Sequence, residues 1–302
     1  MPAGCRDGVM NMRSVCMERS NVNQVSAMFR GSGLDKNKLS KLDALPEPRS
    51  RYLIAMTPRS GSSFLCDMMT KSRRFGAPGE ALNEAFIPKI LKSVPGRSPD
   101  EYLRNFCRAK KTPNGVAGLK TSWFQFRNFK AAMEDEAYLS GFRYIYLFRR
   151  DIAAQAVSLY KATASQVFHT NIAHSEHALA KLAALKYDYA AIDMWRNHIA
   201  EQERGWQQYF HARRIFPLCL SYEDMGPDVL GTMQRIATFV GVDPKNVARP
   251  DSPSVFEKIG DAQNLEWARR YEQEALARAG GPRPDNDKVH ASDTSGVLQG
   301  RP

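Results

Sequence analysis

The chain has 302 residues, enough to bury one large core, and its 43% hydrophobic and 25% charged content is that of an ordinary globular protein. A net charge of +11 calls for an anionic partner, but nucleic acid, a phosphorylated nucleotide and an acidic membrane surface would all serve. Cys5, Cys16, Cys66, Cys107 and Cys219 are scattered with no C-x-x-C pair, and no apolar run reaches ~18 residues. These features weigh against a disulfide framework, a zinc site and a membrane span, and for a reducing, cytoplasmic setting.

In chain order, residues 1–48 lack sustained periodicity and read as a loose extension, closed by Pro46 and Pro48. No h-region of a secretory signal is present there. A single domain is expected over 49–279, and the Gly-, Pro- and Asp-rich residues 280–302 are expected to form a disordered tail.

Residues 52–56 are a short apolar run of buried-strand type. Thr57-Pro58-Arg59-Ser60-Gly61-Ser62-Ser63 follows as a turn of small residues, and from Phe64 the apolar pattern resumes at helical spacing. Strand, small-residue loop and helix N-terminus together make an anion site. Gly61 lets the backbone approach, N–H groups converge, and the helix dipole adds about half a positive charge. Ser60, Ser62 and Ser63 can donate from their hydroxyls, and Arg59 adds a planar, charged fork. A nucleotide-triphosphate loop would need a Lys after the last glycine, and none follows Gly61.

Further on, a helix is expected over 100–109, a turn at Thr112-Pro113-Asn114-Gly115, and strands over 116–121 and 142–148. Asp151 is placed to cap a helix that carries Gln155 and Ser158 as polar positions. Residues 175–213 hold apolar side chains every three or four positions, as one long helix or a pair would. A strand over 215–222 and helices over 228–240 and 264–278 complete the pattern. Strands alternating with helices imply a central, mostly parallel sheet flanked by helices, with ligands outside the strand C-termini.

Arg149-Arg150-Asp151 closes the 142–148 strand, and Ser158 lies two turns into the next helix. One charge and one hydroxyl there could hold a second phosphate; otherwise they are solvated arginines and a helix cap. Glu80 follows the turn Pro78-Gly79. A carboxylate there suits proton abstraction from a hydroxyl, with Glu84 as the neighbouring alternative. Lys120 ends the 116–121 strand. His174 and His177 lack a third ligand and read as surface residues, so no metal is expected.

The run 57–63 resembles the 5′-phosphosulfate loop of sulfotransferases, which use 3′-phosphoadenosine 5′-phosphosulfate (PAPS). Arg59 in the usual Lys position resembles the bacterial branch that includes trehalose 2-sulfotransferase and the nodulation-factor and lipopolysaccharide enzymes. R-R-D-I-A-A-Q-A-V-S at 149–158, G-A-P-G-E at 76–80 and G-L-K-T-S-W at 118–123 are similar to further motifs of that group, in the same order.

The resemblance implies a P-loop-like three-layer fold and PAPS as donor. It implies Arg149 and Ser158 at the 3′-phosphate, with Arg150 standing where the group has Pro. Glu80 would be the base, Lys120 would face the transferring sulfuryl group, and Lys258 would close over the nucleotide. The implied acceptor is a sugar or glycolipid hydroxyl. Ala77 replaces a Glu that the trehalose enzyme uses on its sugar, which argues against simple trehalose. Related enzymes are dimers, so a homodimer is expected, with room for peripheral membrane contact and none for nucleic acid. A degenerate P-loop kinase and a basic nucleic-acid-binding module are the competing readings.

Overall fold

The computed structural model describes residues 24–30, 35–168, 175–256 and 262–280. Their apolar runs form strands β1 (Ser50–Met56), β2 (Val116–Ser122), β3 (Phe142–Phe148) and β4 (Leu218–Ser221). All pair in parallel, in the order β2-β1-β3-β4. The main helices are α1 (Lys36–Asp43), α2 (Ser62–Lys71), α3 (Pro99–Lys110), α4 (Trp123–Ala131) and α5 (Ile152–Ser165). They continue with α6 (Glu176–Ala183), α7 (Tyr189–Arg213), α8 (Val229–Val240) and α9 (Ala262–Gly280).

Side chains along β1 alternate between two cores, as the period of a strand requires. Leu53 and Ala55 face α3, α4 and the end of α7, where Phe106, Phe129 and Trp206 are buried. Tyr52, Ile54 and Met56 face α2 and α8, against Leu65, Met69 and Ile236. Both faces are covered, which is why these strands read as continuous apolar runs. The result is the expected P-loop-like three-layer α/β fold. A third cluster joins α5, α7 and α9 through Val157, Ile199 and Trp267.

The helix caps follow the sequence. The Ser98 hydroxyl accepts from Glu101 N–H ahead of α3, and Asp151 accepts from Ala154 N–H at 2.7 Å ahead of α5. Gly241 ends α8 at φ 78°.

Two expectations need correction. Residues 1–48 are not loose throughout: residues 24–29 are helical, α1 follows, and Val25, Phe29, Leu39 and Leu42 are buried. Apolar pairs three or four apart, set among polar residues, were too sparse to stand out as periodicity. Residues 175–213 are the pair of helices that the spacing allowed, broken between Ala183 and Tyr189. The 215–222 strand shrinks to β4, because Pro217 brings no N–H to the ladder and the Ser221 hydroxyl caps the helical turn Tyr222–Met225. The expected disorder of residues 1–23 and 281–302 lies outside the described residues.

Strand order places the site. β2 lies on one side of β1 and β3 on the other, so the chain reverses its direction of winding at β1. The crevice beyond the C-terminal ends of β1 and β3 is where such sheets bind ligands. The segments that leave those two ends carry Arg59 and Arg149.

Candidate active site

The loop from Thr57 to Gly61 turns β1 into α2 through two left-handed residues, Arg59 at φ 68° and Gly61 at φ 80°. A non-glycine residue in that region is strained, and such strain concentrates at functional sites. Gly61 cannot be replaced without cost, since a Cβ there would lie 2.6 Å from Tyr222 Cδ2. No side chain caps α2, so its first N–H groups face the crevice together with the loop. Ser60 is fully buried, and its Oγ has no hydrogen-bond partner among the described residues. A buried orphan hydroxyl at an anion-shaped turn fits a phosphate or sulfate oxygen.

Helix α5 is tied directly to this loop. Gln155 Nε2 donates to Thr57 Oγ1 at 2.8 Å and to the Pro58 carbonyl at 2.7 Å. Arg59 Nε donates to Ser158 Oγ at 3.0 Å, and its Nη1 donates to the Phe168 carbonyl at 2.7 Å. Arg59 therefore spans between the two groups of residues that the sequence suggested for two phosphates. Burial, and then the nearby Arg149 guanidinium, hold the Arg59 pKa below its ordinary value. Two cations brought this close mark a place prepared for negative charge.

The two arginines after β3 divide their duties. Arg149 lines the crevice, with its side chain 15% exposed, its guanidinium 4.7 Å from the centre of the Tyr222 ring and its Nε 4.0 Å from Glu223 Oε1. Arg150 points away, and its fork is taken by Asp224 at 2.9 and 2.8 Å.

Glu80 reaches the site through a one-residue parallel bridge. Gly79 pairs with Leu119, and Lys120 N–H donates to the Gly79 carbonyl at 3.0 Å, so Glu80 and Lys120 sit side by side. Lys120 Nζ lies 3.2 Å from Glu80 Oε1 and donates to Ser63 Oγ at 2.8 Å, which links the carboxylate to the start of α2. Asn83 Nδ2 donates to Glu80 Oε2 at 2.8 Å. Burial works to raise the Glu80 pKa. The Lys120 ammonium and hydrogen bonds from Asn83, Lys120 and Gln125 outweigh it and hold the group below its ordinary value. Glu84 is engaged elsewhere, accepting from Asn128 Nδ2 at 2.9 Å.

Arg59, Gly61, Ser62, Ser63, Glu80, Arg149 and Ser158 line one cleft of about 1830 Å³, and Lys120 stands behind Glu80 rather than in its lining. The cleft also takes in Phe86, Gln125, Phe168, Trp195, His198 and Tyr222, none of which sequence reasoning placed at a site. Tyr222 had a usable signal, since it follows a strand end as Arg59 and Arg149 do. Trp195 and His198 had none, because their spacing on α7 matches that of the core residues Ile192 and Ile199. Among the described residues no group of three His, Cys, Asp or Glu could hold a metal, and no helix is long and apolar enough to cross a membrane. His174 and Lys258 lie outside the described residues.

Two curated proteins are similar over most of the chain. Trehalose 2-sulfotransferase of Mycobacterium tuberculosis (strain ATCC 35801 / TMC 107 / Erdman) is 24% identical over 267 residues, covering 74% of this chain and 95% of that protein. Trehalose 2-sulfotransferase of Mycolicibacterium smegmatis (strain ATCC 700084 / mc(2)155) is 23% identical over 262 residues, with the same shares covered. Among solved structures, mouse sulfotransferase SULT7A1 complexed with PAP is 15% identical, covering 84% of this chain and 75% of that chain at a TM-score of 0.35. That likeness is too loose to carry a residue from one protein to the other. The family model for Stf0 sulphotransferase matches residues 51–274, from the start of β1 into α9, and the chain belongs to the Stf0 sulphotransferase family.

Proposed function

We propose that this sulfotransferase takes PAPS as donor and passes its sulfuryl group to a hydroxyl of a carbohydrate or glycolipid. Glu80 removes the hydroxyl proton as the oxygen attacks sulfur. The bond from sulfur to the 5′-phosphate oxygen breaks, and the electron pair leaves with 3′-phosphoadenosine 5′-phosphate (PAP). The observation that carries this reading is the chain Glu80–Lys120–Ser63, which holds a carboxylate one lysine away from the phosphate-type loop. A base and a loop so joined suit in-line transfer, with Lys120 and Arg59 countering the charge that moves onto the leaving phosphate.

Under this reading the loop N–H groups, Ser60, Gly61, Ser62 and Ser63 hold the 5′-phosphate. Arg149 and Ser158 take the 3′-phosphate, with Arg59 between them. The carbohydrate acceptor is supported by the two trehalose 2-sulfotransferases to which the chain is similar. A cytoplasmic setting is supported by the free thiols of Cys66, Cys107 and Cys219. A homodimer would use α6, which buries no residue within the chain and leaves Leu179 49% exposed.

Calorimetric titration with PAP, with and without magnesium, tests the donor. Binding that needs no magnesium and exceeds binding of ATP or DNA is expected. Magnesium-dependent ATP binding would favour the kinase reading instead.

A further inference from the structure

The cleft is larger than one nucleotide requires. Drug-sized ligands occupy about 300–1,000 Å³, whereas this cleft holds about 1830 Å³. Its wall beyond Glu80 is aromatic. The His198 ring packs between Phe124, at 5.1 Å, and Trp195, at 5.2 Å between centroids. Phe124 precedes Gln125 on α4, and Gln125, which hydrogen-bonds Glu80, lines the cleft together with Trp195 and His198. Phe86 lines the same cleft. Its N–H donates to the carbonyl of Asn83, whose side chain holds Glu80, and its ring is left 47% exposed.

Three polar side chains of the cleft lining are already engaged, while Arg249 and Asp251 also line it. Asn83 Oδ1 accepts from Ala85 N–H, Gln125 Oε1 accepts from Ser122 N–H, and Gln166 Nε2 donates to the Thr163 carbonyl. A free disaccharide would bring a ring of hydroxyls to a surface with few groups left to meet them, and unpaired polar groups are costly to bury. An exposed Phe and a Trp–His pair instead reward apolar contact. Burial also keeps His198 below its ordinary pKa, while the Arg127 guanidinium stands 5.2 Å from the centre of the Phe124 ring.

Resting on the carbohydrate-hydroxyl reading above, we propose that Trp195, His198 and Phe86 form an acceptor subsite for the apolar part of an amphipathic glycoside. The reacting hydroxyl is presented to Glu80 while an alkyl or acyl chain lies along the aromatic wall. The acceptor class is then a glycolipid rather than a free sugar.

The test compares octyl β-glucoside with methyl β-glucoside, which share their sugar hydroxyls, by calorimetry on the PAP-loaded protein below the micelle concentration. The octyl compound is expected to bind at least tenfold more tightly, about 1.4 kcal/mol, which is less than two buried methylenes supply. Trp195→Ala should bring that ratio close to one while PAP affinity stays within about twofold. Phe86→Ser, at an exposed position, carries the same test if the Trp195 variant fails to fold. Equal affinities in the parent protein overturn the subsite, as does an octyl preference untouched by both variants. Transfer from labelled PAPS is measured alongside. An octyl preference without transfer to the glucoside overturns the carbohydrate reading, while transfer without a preference overturns the subsite alone.

Discussion

At the scale of single residues, the proposed mechanism rests most on Glu80. Its carboxylate is held below the ordinary value, so it is ionised at neutral pH and can accept a proton. Activity should persist as pH falls and be lost only as pH drops through that depressed value, below the ordinary 4.5. Glu80→Gln keeps an oxygen for Lys120 and should keep both PAP affinity and unfolding midpoint, while kcat falls by ~10²–10⁴ and the acid limb vanishes. Glu84→Gln, which keeps an oxygen for Asn128, should leave the rate nearly unchanged. Loss of PAP affinity alongside rate in Glu80→Gln would make Glu80 a support for the loop. The paired arginines separate in the same way. Arg149→Ala should weaken PAP by roughly 1.5–3 kcal/mol and hardly affect adenosine 5′-phosphosulfate, which lacks the 3′-phosphate. Arg150→Ala should leave PAP binding alone, since its fork already belongs to Asp224. Equal losses for both nucleotides would show that Arg149 is structural.

At the scale of elements, the loop between β1 and α2 was legible in advance because its chemistry is local. Small residues, one glycine and an adjacent helix start suffice to forecast an anion site. What the loop packs against was not legible, because Tyr222 and Gln155 come from elements far along the chain. Gly61→Ala tests that packing. An alanine at φ 80° costs about 1–2 kcal/mol in backbone strain, and its Cβ would also press on the Tyr222 ring. The unfolding midpoint should fall by several degrees and PAP affinity with it, while Gly280→Ala, with open space around it, should change neither. A Gly61→Ala protein that binds PAP as tightly as the parent would remove the loop from the nucleotide site.

At the scale of the whole molecule, assembly is the open choice. Ile199, Trp206 and Phe210 of α7 are buried within the chain, which leaves the exposed α6 to carry the dimer proposal. Light scattering at micromolar concentration should give about twice the chain's 34.0 kDa, and Leu179→Lys should return it to the monomer. A monomer mass for the parent protein ends the proposal. The amino-acid sequence by itself determined the strands, most of the helix caps and the residue types of the phosphate loop, since each depends on neighbours within a few positions. It also contained Glu80, Lys120 and Arg149, but as single residues that could equally have been solvated. Only the tertiary structure decided that Glu80 meets Lys120 and that Glu80 and Arg149 line one cleft. Parallel pairing around β1 sets three strand ends side by side, and the Gly79–Leu119 bridge brings Glu80 to Lys120. The aromatic wall was decided wholly at that level, because Trp195 and His198 share one spacing with the core of α7, and only the cleft that opens beside them tells them apart.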